Sequence, residues 1–410
     1  MCGFRPFFVL TAASAVAMMA VWLSMLRGVL PASMPGGSLL WHGHELIFGF
    51  VTASIAGFVL TAIPEFTKTP PIGGPALARL VLLWVAARPA YALAGWWPAW
   101  LGLWPAALLN LALWVLLLAR VAPAVWRDPE RRHVSFAWAL GAMALLQAGY
   151  FVALAMGGDA MAWLRMAVGV VMVLIVIAAS RVSMAVVNGL IEQGRPGRPD
   201  PGDVGYLARP PRRNLAIFCI AACSVVEFAL GHNAVTGWTA LAAAAAMLNL
   251  LNDWHVGRPL FTRWALMMYS FYWLVALGYG LMGAAWLGAP LLPSAGRHVL
   301  MAGAMGLSIF TIMAMVGRIH AGLWLDRRPW LPITVAVLVL ATLIRATAGV
   351  YAAASWMWPL LLVSGVLWAG CFAVYLVITW PVLTGPREDG LFGCDEPQGR
   401  DAKHTADEIC

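Results

Sequence analysis

The chain has 410 residues, of which 62% are apolar and only 11% charged, against roughly 45–50% and 25% in soluble globular domains. No soluble core could hide so much apolar surface, so the bilayer must be the solvent. The apolar residues come in long uninterrupted runs, which excludes a sheet barrel, whose strands are shorter and alternate apolar with polar residues.

Runs and breakers predict an all-α polytopic membrane bundle with helices near residues 7–26, 41–63, 76–95, 98–121, 134–156, 161–187, 213–232, 235–254, 262–289, 297–322, 331–353 and 356–383. A helix needs about 20 residues to cross the hydrocarbon, and each run approaches or exceeds that length. The first run starts after Arg5 and is longer than the roughly 7–15 residues of a signal-peptide core, so it reads as a retained helix. One domain, residues 1–384, is expected, with a Pro/Arg/Gly loop over 192–213 and a hydrophilic tail over 385–410. No fixed-period repeat is visible. The six cysteines form no Cys-x-x-Cys pair and predict neither a disulfide framework nor a zinc site. Cys219 and Cys223, one turn apart in an apolar segment, read as packing.

Orientation follows from Lys and Arg in alternate connections, because positive loops stay cytoplasmic. With the N-terminus inside, nineteen of the 26 fall on the inner side and only Arg27 and Arg297 on the outer, the other five lying within helices. Both ends are therefore expected in the cytoplasm. The net charge of +8 follows from this topology and calls for no nucleic-acid partner.

Sorted by depth, His42, His44, His232 and His298 meet the outer face. His133 and His404 fall in inner polar segments, and His255 and His320 at inner helix ends. The outer half also holds Arg88, Arg165, Arg345, Glu45 and Glu227, charges that cost roughly 2.5–3.5 kcal/mol each at the centre of a span on insertion scales and usually face the bundle interior. Together with the histidines they predict a polar site.

Trp41-His42-Gly43-His44-Glu45 is the densest constellation. Glu45, Gly49, Ala53 and Gly57 recur every four residues, a small-residue stripe expected to point inward. His42 shares that face if the helix has already begun, while His44 points roughly 100° from Glu45; an unwound Gly43 would let both rings converge. Imidazole suits copper, iron and zinc, and haem iron commonly takes axial histidine. Haem propionates need cationic partners, which Arg88 and Arg345 could supply. Met301 and Met305 lie below His298 on one face and read as packing.

These residues also carry a resemblance. Phe4-Arg5-Pro6-Phe7-Phe8, Trp41-His42-Gly43-His44-Glu45 with Phe48-Gly49, and Ala56-Gly57-Phe58 through Leu60-Thr61-Ala62-Ile63-Pro64 resemble the opening of the NnrS family. The stretch from His298 to Gly306, Arg345, and the ending Pro381 to Gly390 are similar to it as well. The resemblance implies a bacterial inner-membrane protein containing haem and copper, associated with denitrification, nitrosative stress and resistance to nitric oxide, with a small nitrogen oxide as its ligand. It implies His42, His44 and His298 as metal ligands and Arg181 and Arg345 as matching arginines; His232 rests on depth alone. Three stretches depart from the family pattern: Pro64-Glu65-Phe66-Thr67, Arg181-Val182-Ser183-Met184, and Arg318 to Arg327. They mark a divergent member.

The alternative is a twelve-helix secondary transporter with a buried charged pathway. Gly322-Leu323-Trp324-Leu325-Asp326-Arg327-Arg328-Pro329 resembles a loop signature of the major facilitator superfamily, at a different place in the helix order. A proton-conducting haem-copper reductase would need an adjacent His-His pair, which the chain lacks.

Overall fold

The computed structural model of the protein describes residues 2–31, 33–98, 102–193, 209–255, 257–350 and 355–390. Most of the loop expected over 192–213, and the tail beyond Gly390 with His404, lie outside the described residues. Among the described residues the chain is helical throughout, with no strand.

Twelve helices among the described residues are long and apolar enough to cross a bilayer: α1 (Phe4–Leu26), α2 (Ser38–Thr67), α3 (Gly74–Trp96), α4 (Trp104–Arg127), α5 (Val134–Ala155), α6 (Ala160–Met184), α7 (Pro210–Leu230), α8 (Ala234–Trp254), α9 (Arg263–Trp286), α10 (Pro293–Ile319), α11 (Trp330–Val350) and α12 (Met357–Thr384). The order matches the expectation from hydropathy, and the ends shift by a few residues. The largest shift is α4, expected from residue 98 and observed from Trp104. Pro105 occupies its first turn, where proline is pre-organised, and Pro123 near the other end does not stop it.

Burial ranks the helices. The most apolar stretch of α2 is 89% buried and that of α10 78%, against 28–61% in the other ten, so these two form the axis and the rest face lipid on one side. Small residues let them sit there. Glu45, Gly49, Ala53 and Gly57 are all buried, as the stripe requires, and a Cβ on Gly57 would stand 2.8 Å from the Phe8 ring of α1. Cys219, Cys223 and Cys371 are free thiols inside spans, and Cys2 is disulfide-bonded.

The start of the first helix and the end of the last are tied. Arg5 donates to the carbonyls of Val382 and Leu383 at 3.2 Å, where the last carbonyls of a helix have no partner of their own. Arg387 pairs with Asp389 at 2.5 Å and donates to the His320 carbonyl.

Candidate functional site

Both axial helices change their winding where the histidines sit. In α2 an α-helical Ser38–His44 passes into a π-helical Glu45–Val51 before resuming at Thr52. In α10 Pro293–His298 passes into a π-helical Val299–Met305 before resuming at Gly306. Such π segments are rare and cluster at functional sites. A widened turn re-aims backbone carbonyls, and inside a bilayer those need protein partners. Each segment has one: the Trp84 indole donates to the Gly49 carbonyl and the Trp368 indole to the Ala302 carbonyl, both at 3.0 Å.

On one side of α2 lies a cavity of about 200 Å³ between α1, α2, α10, α11 and α12. His42, His298 and Arg345 line it, with Met19, Met301 and Met305. The His42 ring stacks on Trp22, centroids 4.2 Å apart and planes within 17°, and its Nδ1 is buried with no hydrogen-bond partner. The His298 Nδ1 stands 2.8 Å from the Ser294 carbonyl. A carbonyl only accepts, so this nitrogen carries the proton and Nε2 keeps the lone pair. The guanidinium of Arg345 stands 3.1 Å from that Nε2 and has no carboxylate partner among the described residues.

On the other side of α2 is a polar network with no such open positions. Glu45 and Arg88 pair at 2.9 Å, and Arg88 also donates to Asn110 of α4. His44 Nδ1 is 2.9 Å from Glu45, and its Nε2 is 3.1 Å from the Gln147 side-chain nitrogen. The Trp114 indole donates to the Gln147 oxygen at 2.7 Å. Because an indole can only donate, the Gln147 oxygen must face Trp114 and its NH₂ must face His44. His44 Nε2 is then an acceptor and Nδ1 the donor to Glu45. Aromatic rings enclose it: Tyr91 and Tyr150 lie 4.6 and 5.0 Å from the His44 ring, with their hydroxyls 2.6 Å apart. Gly49 permits this closeness, since a Cβ there would be 2.8 Å from Arg88 Nη1.

His42 and His44 therefore face different ways, and the expectation that His42 shares the face of Glu45 is reversed. Neighbouring Cβ atoms diverge by about 100°, but the two-carbon stem of Glu45 brings its carboxylate back to His44.

His232 stands apart from both groups. Its Nε2 is 3.0 Å from Glu227, which also holds Arg297 at 2.5 Å, and its ring stacks on Trp286. Arg165 lies in the first turns of α6, 4.0 Å from Asp159. Arg181 reaches the Arg132 carbonyl at the opposite end of the bundle from the cavity. Nearby, His133 stacks on Phe66, and burial together with the charge of Arg181 lowers its pKa. The structure thus brings His42, His298 and Arg345 together and places His44 with Arg88 elsewhere. No group of three or more His, Cys, Asp or Glu side chains spaced to hold a metal occurs among the described residues.

A family model described as NnrS protein matches residues 1–387. The chain belongs to the NnrS family. No curated protein matches it. The NnrS motifs map onto distinct physical tasks. The opening Phe4-Arg5-Pro6 and the closing Pro381 to Asp389 form the tie between α1 and α12. Trp41 to Glu45 divides its two histidines between cavity and network, and His298 with Arg345 completes the cavity. The three stretches set apart in the sequence, around Glu65, Arg181 and His320, are linked at one end of the bundle. Glu65 reaches His320 at 3.5 Å, Phe66 stacks on His133, and the charge of Arg181 acts on His133.

Asn110, Trp114, Gln147, Tyr91 and Tyr150 escaped the sequence reading. Asn110 and Gln147 are amides in otherwise apolar runs, a signal as strong as that of the arginines.

Proposed function

We propose that this protein is a haem- and copper-binding integral membrane protein acting in nitric-oxide metabolism or resistance, with the cavity beside α2 as its cofactor site. The observation that carries the reading is what is left over there: a buried His42 nitrogen without a partner, and an Arg345 cation that has no carboxylate and donates instead to the His298 lone pair, which a metal would take in its place. Imidazole and thioether donors together suit copper, and Cu(I) in particular. In this closed form the cavity matches a metal ion with a small ligand, being smaller than the roughly 300–1,000 Å³ of typical pockets for larger ligands. Accepting haem requires its mouth, where Leu39 of α2 and Trp358 of α12 are exposed, to widen.

His42 and His298 are the metal ligands in this reading. Arg345 balances the charge of a propionate or a bound anion, and Trp22 fixes the His42 ring. A bound haem or copper supplies the open coordination position and redox change at which a small nitrogen oxide is held. The apolar lining keeps water away and admits an uncharged diatomic. His44 and Arg88 act from the network, holding the α2 segment that carries His42. The charge count favours both ends in the cytoplasm and the cavity toward the outer face, and membership of the NnrS family favours an inner bacterial membrane. The transporter alternative has less support, because Glu45 and Arg88 neutralise each other and line no open pathway.

A visible spectrum with metal analysis of detergent-purified protein tests the proposal. A Soret band that shifts on reduction and on adding NO, with copper present, is expected. A colourless, metal-free preparation that binds an organic solute would overturn it in favour of transport.

A further inference from the structure

At the opposite end of the bundle from the cofactor cavity, α2 and α4 diverge and the linker from α2 to α3 runs across the gap. The result is a cleft of about 380 Å³. Its floor is apolar, with Ile63 and Val121, and Pro70 and Pro71 form its linker wall. Arg120 and Arg127 stand along its α4 side, two turns and about 10 Å apart. Both are exposed, and neither makes a hydrogen bond or ion pair with any described residue. No acidic residue lines the cleft. Glu65, the only carboxylate on this part of α2 and the linker, reaches toward His320.

Three features specify an occupant. Two unpartnered guanidinium groups suit a phosphate, which they can bind through paired N–H donors. An apolar floor beneath them would remain uncovered by free phosphate, whereas a glycerol backbone with the start of its acyl chains would fill it. Without a carboxylate in the cleft nothing would receive a choline or ethanolamine ammonium, so the headgroup is anionic rather than zwitterionic. The depth agrees. Trp126, exposed and in ring contact with Trp138, sits on the last turns of α4, the level at which tryptophan marks the membrane interface.

We infer that this cleft binds the phosphodiester headgroup of an anionic glycerophospholipid through Arg120 and Arg127. Basic pockets between transmembrane helices serve that purpose in other membrane proteins.

The test uses the full-length protein, purified in detergent and stripped of lipid, with phosphatidylglycerol, phosphatidylcholine or inorganic phosphate added. Binding is followed by native mass spectrometry and by thermal stabilisation. Phosphatidylglycerol should bind and stabilise, and the other two should not. The double variant R120Q/R127Q should weaken the phosphatidylglycerol interaction roughly tenfold or more, at about 1 kcal/mol per interfacial arginine. A124L, which fills the cleft without changing charge, should weaken it too. R79Q, which removes an exposed charge outside the cleft, should leave it unchanged. Equal binding by wild type and R120Q/R127Q, equal binding of phosphatidylcholine, or loss in R79Q alone would overturn the site. Stabilisation by inorganic phosphate matching that by the lipid would overturn the lipid as its occupant.

Discussion

Two polar groups lie on either side of α2, and they differ in what is left unsatisfied. His42 and His44 are two residues apart in one motif, so their side chains leave the helix in directions roughly 160° apart. On the His42 side a ring nitrogen has no partner, and the Arg345 charge has no carboxylate and rests on the His298 lone pair alone. On the His44 side every proton and lone pair that positions the ring is matched, from Trp114 through Gln147 and Glu45 to Arg88 and Asn110. A side chain can accept a ligand only with valence to spare. Residue type alone makes the two histidines equal, and hydrogen-bond bookkeeping separates them.

The largest expected effect breaks the comparison outright. His42→Ala and His298→Ala should each empty the cofactor site, because no neighbour replaces a lost coordinating nitrogen. His44→Ala should retain the cofactor in the folded fraction and lower thermal stability instead, since it strands the Gln147 amide and one Glu45 oxygen at about 1–3 kcal/mol each. Metal content by mass spectrometry and haem by difference spectrum, both normalised to folded protein, distinguish these outcomes. A metal-free His44→Ala with wild-type stability would make His44 a ligand and dissolve the distinction.

A smaller effect sharpens it from the network side. Glu45→Gln leaves Arg88 buried without a counter-charge, which should cost about 3–5 kcal/mol, read as a fall in melting temperature in detergent. Removing both charges in Glu45→Gln/Arg88→Met should recover much of the loss, because two matched charges are replaced by none. The Soret position and copper stoichiometry of the folded single variant should stay at wild-type values. A shifted spectrum without lost stability would mean that Glu45 acts on the cofactor directly.

The fold was legible because hydropathy is a property of runs: twelve apolar stretches name twelve spans whatever their neighbours do. The shared level of His42, His298 and Arg345 was legible too, from where each falls along alternating spans. The π segments were not, since Glu45–Val51 and Val299–Met305 look like ordinary apolar helix and their winding is set by tertiary partners such as Trp84 and Trp368. Facing was misread for the same reason, because periodicity tracks Cβ directions while Glu45 and His44 meet at their tips. Gln147 and Trp114 act together across two helices 33 residues apart in sequence, a pairing no local motif records.

Asp326 carries the smallest effect and extends the comparison beyond the bilayer. Like Glu45 it is surrounded by donors, but it lies in the connection between α10 and α11. Arg328 reaches it through its guanidinium at 2.6 Å and its backbone N–H at 2.9 Å, the Trp330 indole at 2.9 Å, and Arg318 stands 3.6 Å away. Burial alone would raise the carboxyl pKa, but these hydrogen bonds and the Arg318 charge outweigh it and hold the pKa well below the usual carboxylate range. A depressed native pKa binds fewer protons than the unfolded chain, so its stabilisation is present above an unfolded value of about 3.9 and fades as pH falls toward the native one. Asp326→Asn should therefore melt below wild type at pH 7, by an amount on the order of 1–3 kcal/mol. The gap should narrow steadily between pH 4 and pH 2 as wild type loses what the variant never had. Melting curves of both proteins across that range, in a detergent insensitive to pH, measure the gap directly. A gap that stays constant to the lowest pH would show that Asp326 stabilises the connection as a neutral acceptor, and that only Glu45, shut away from water, depends on its charge.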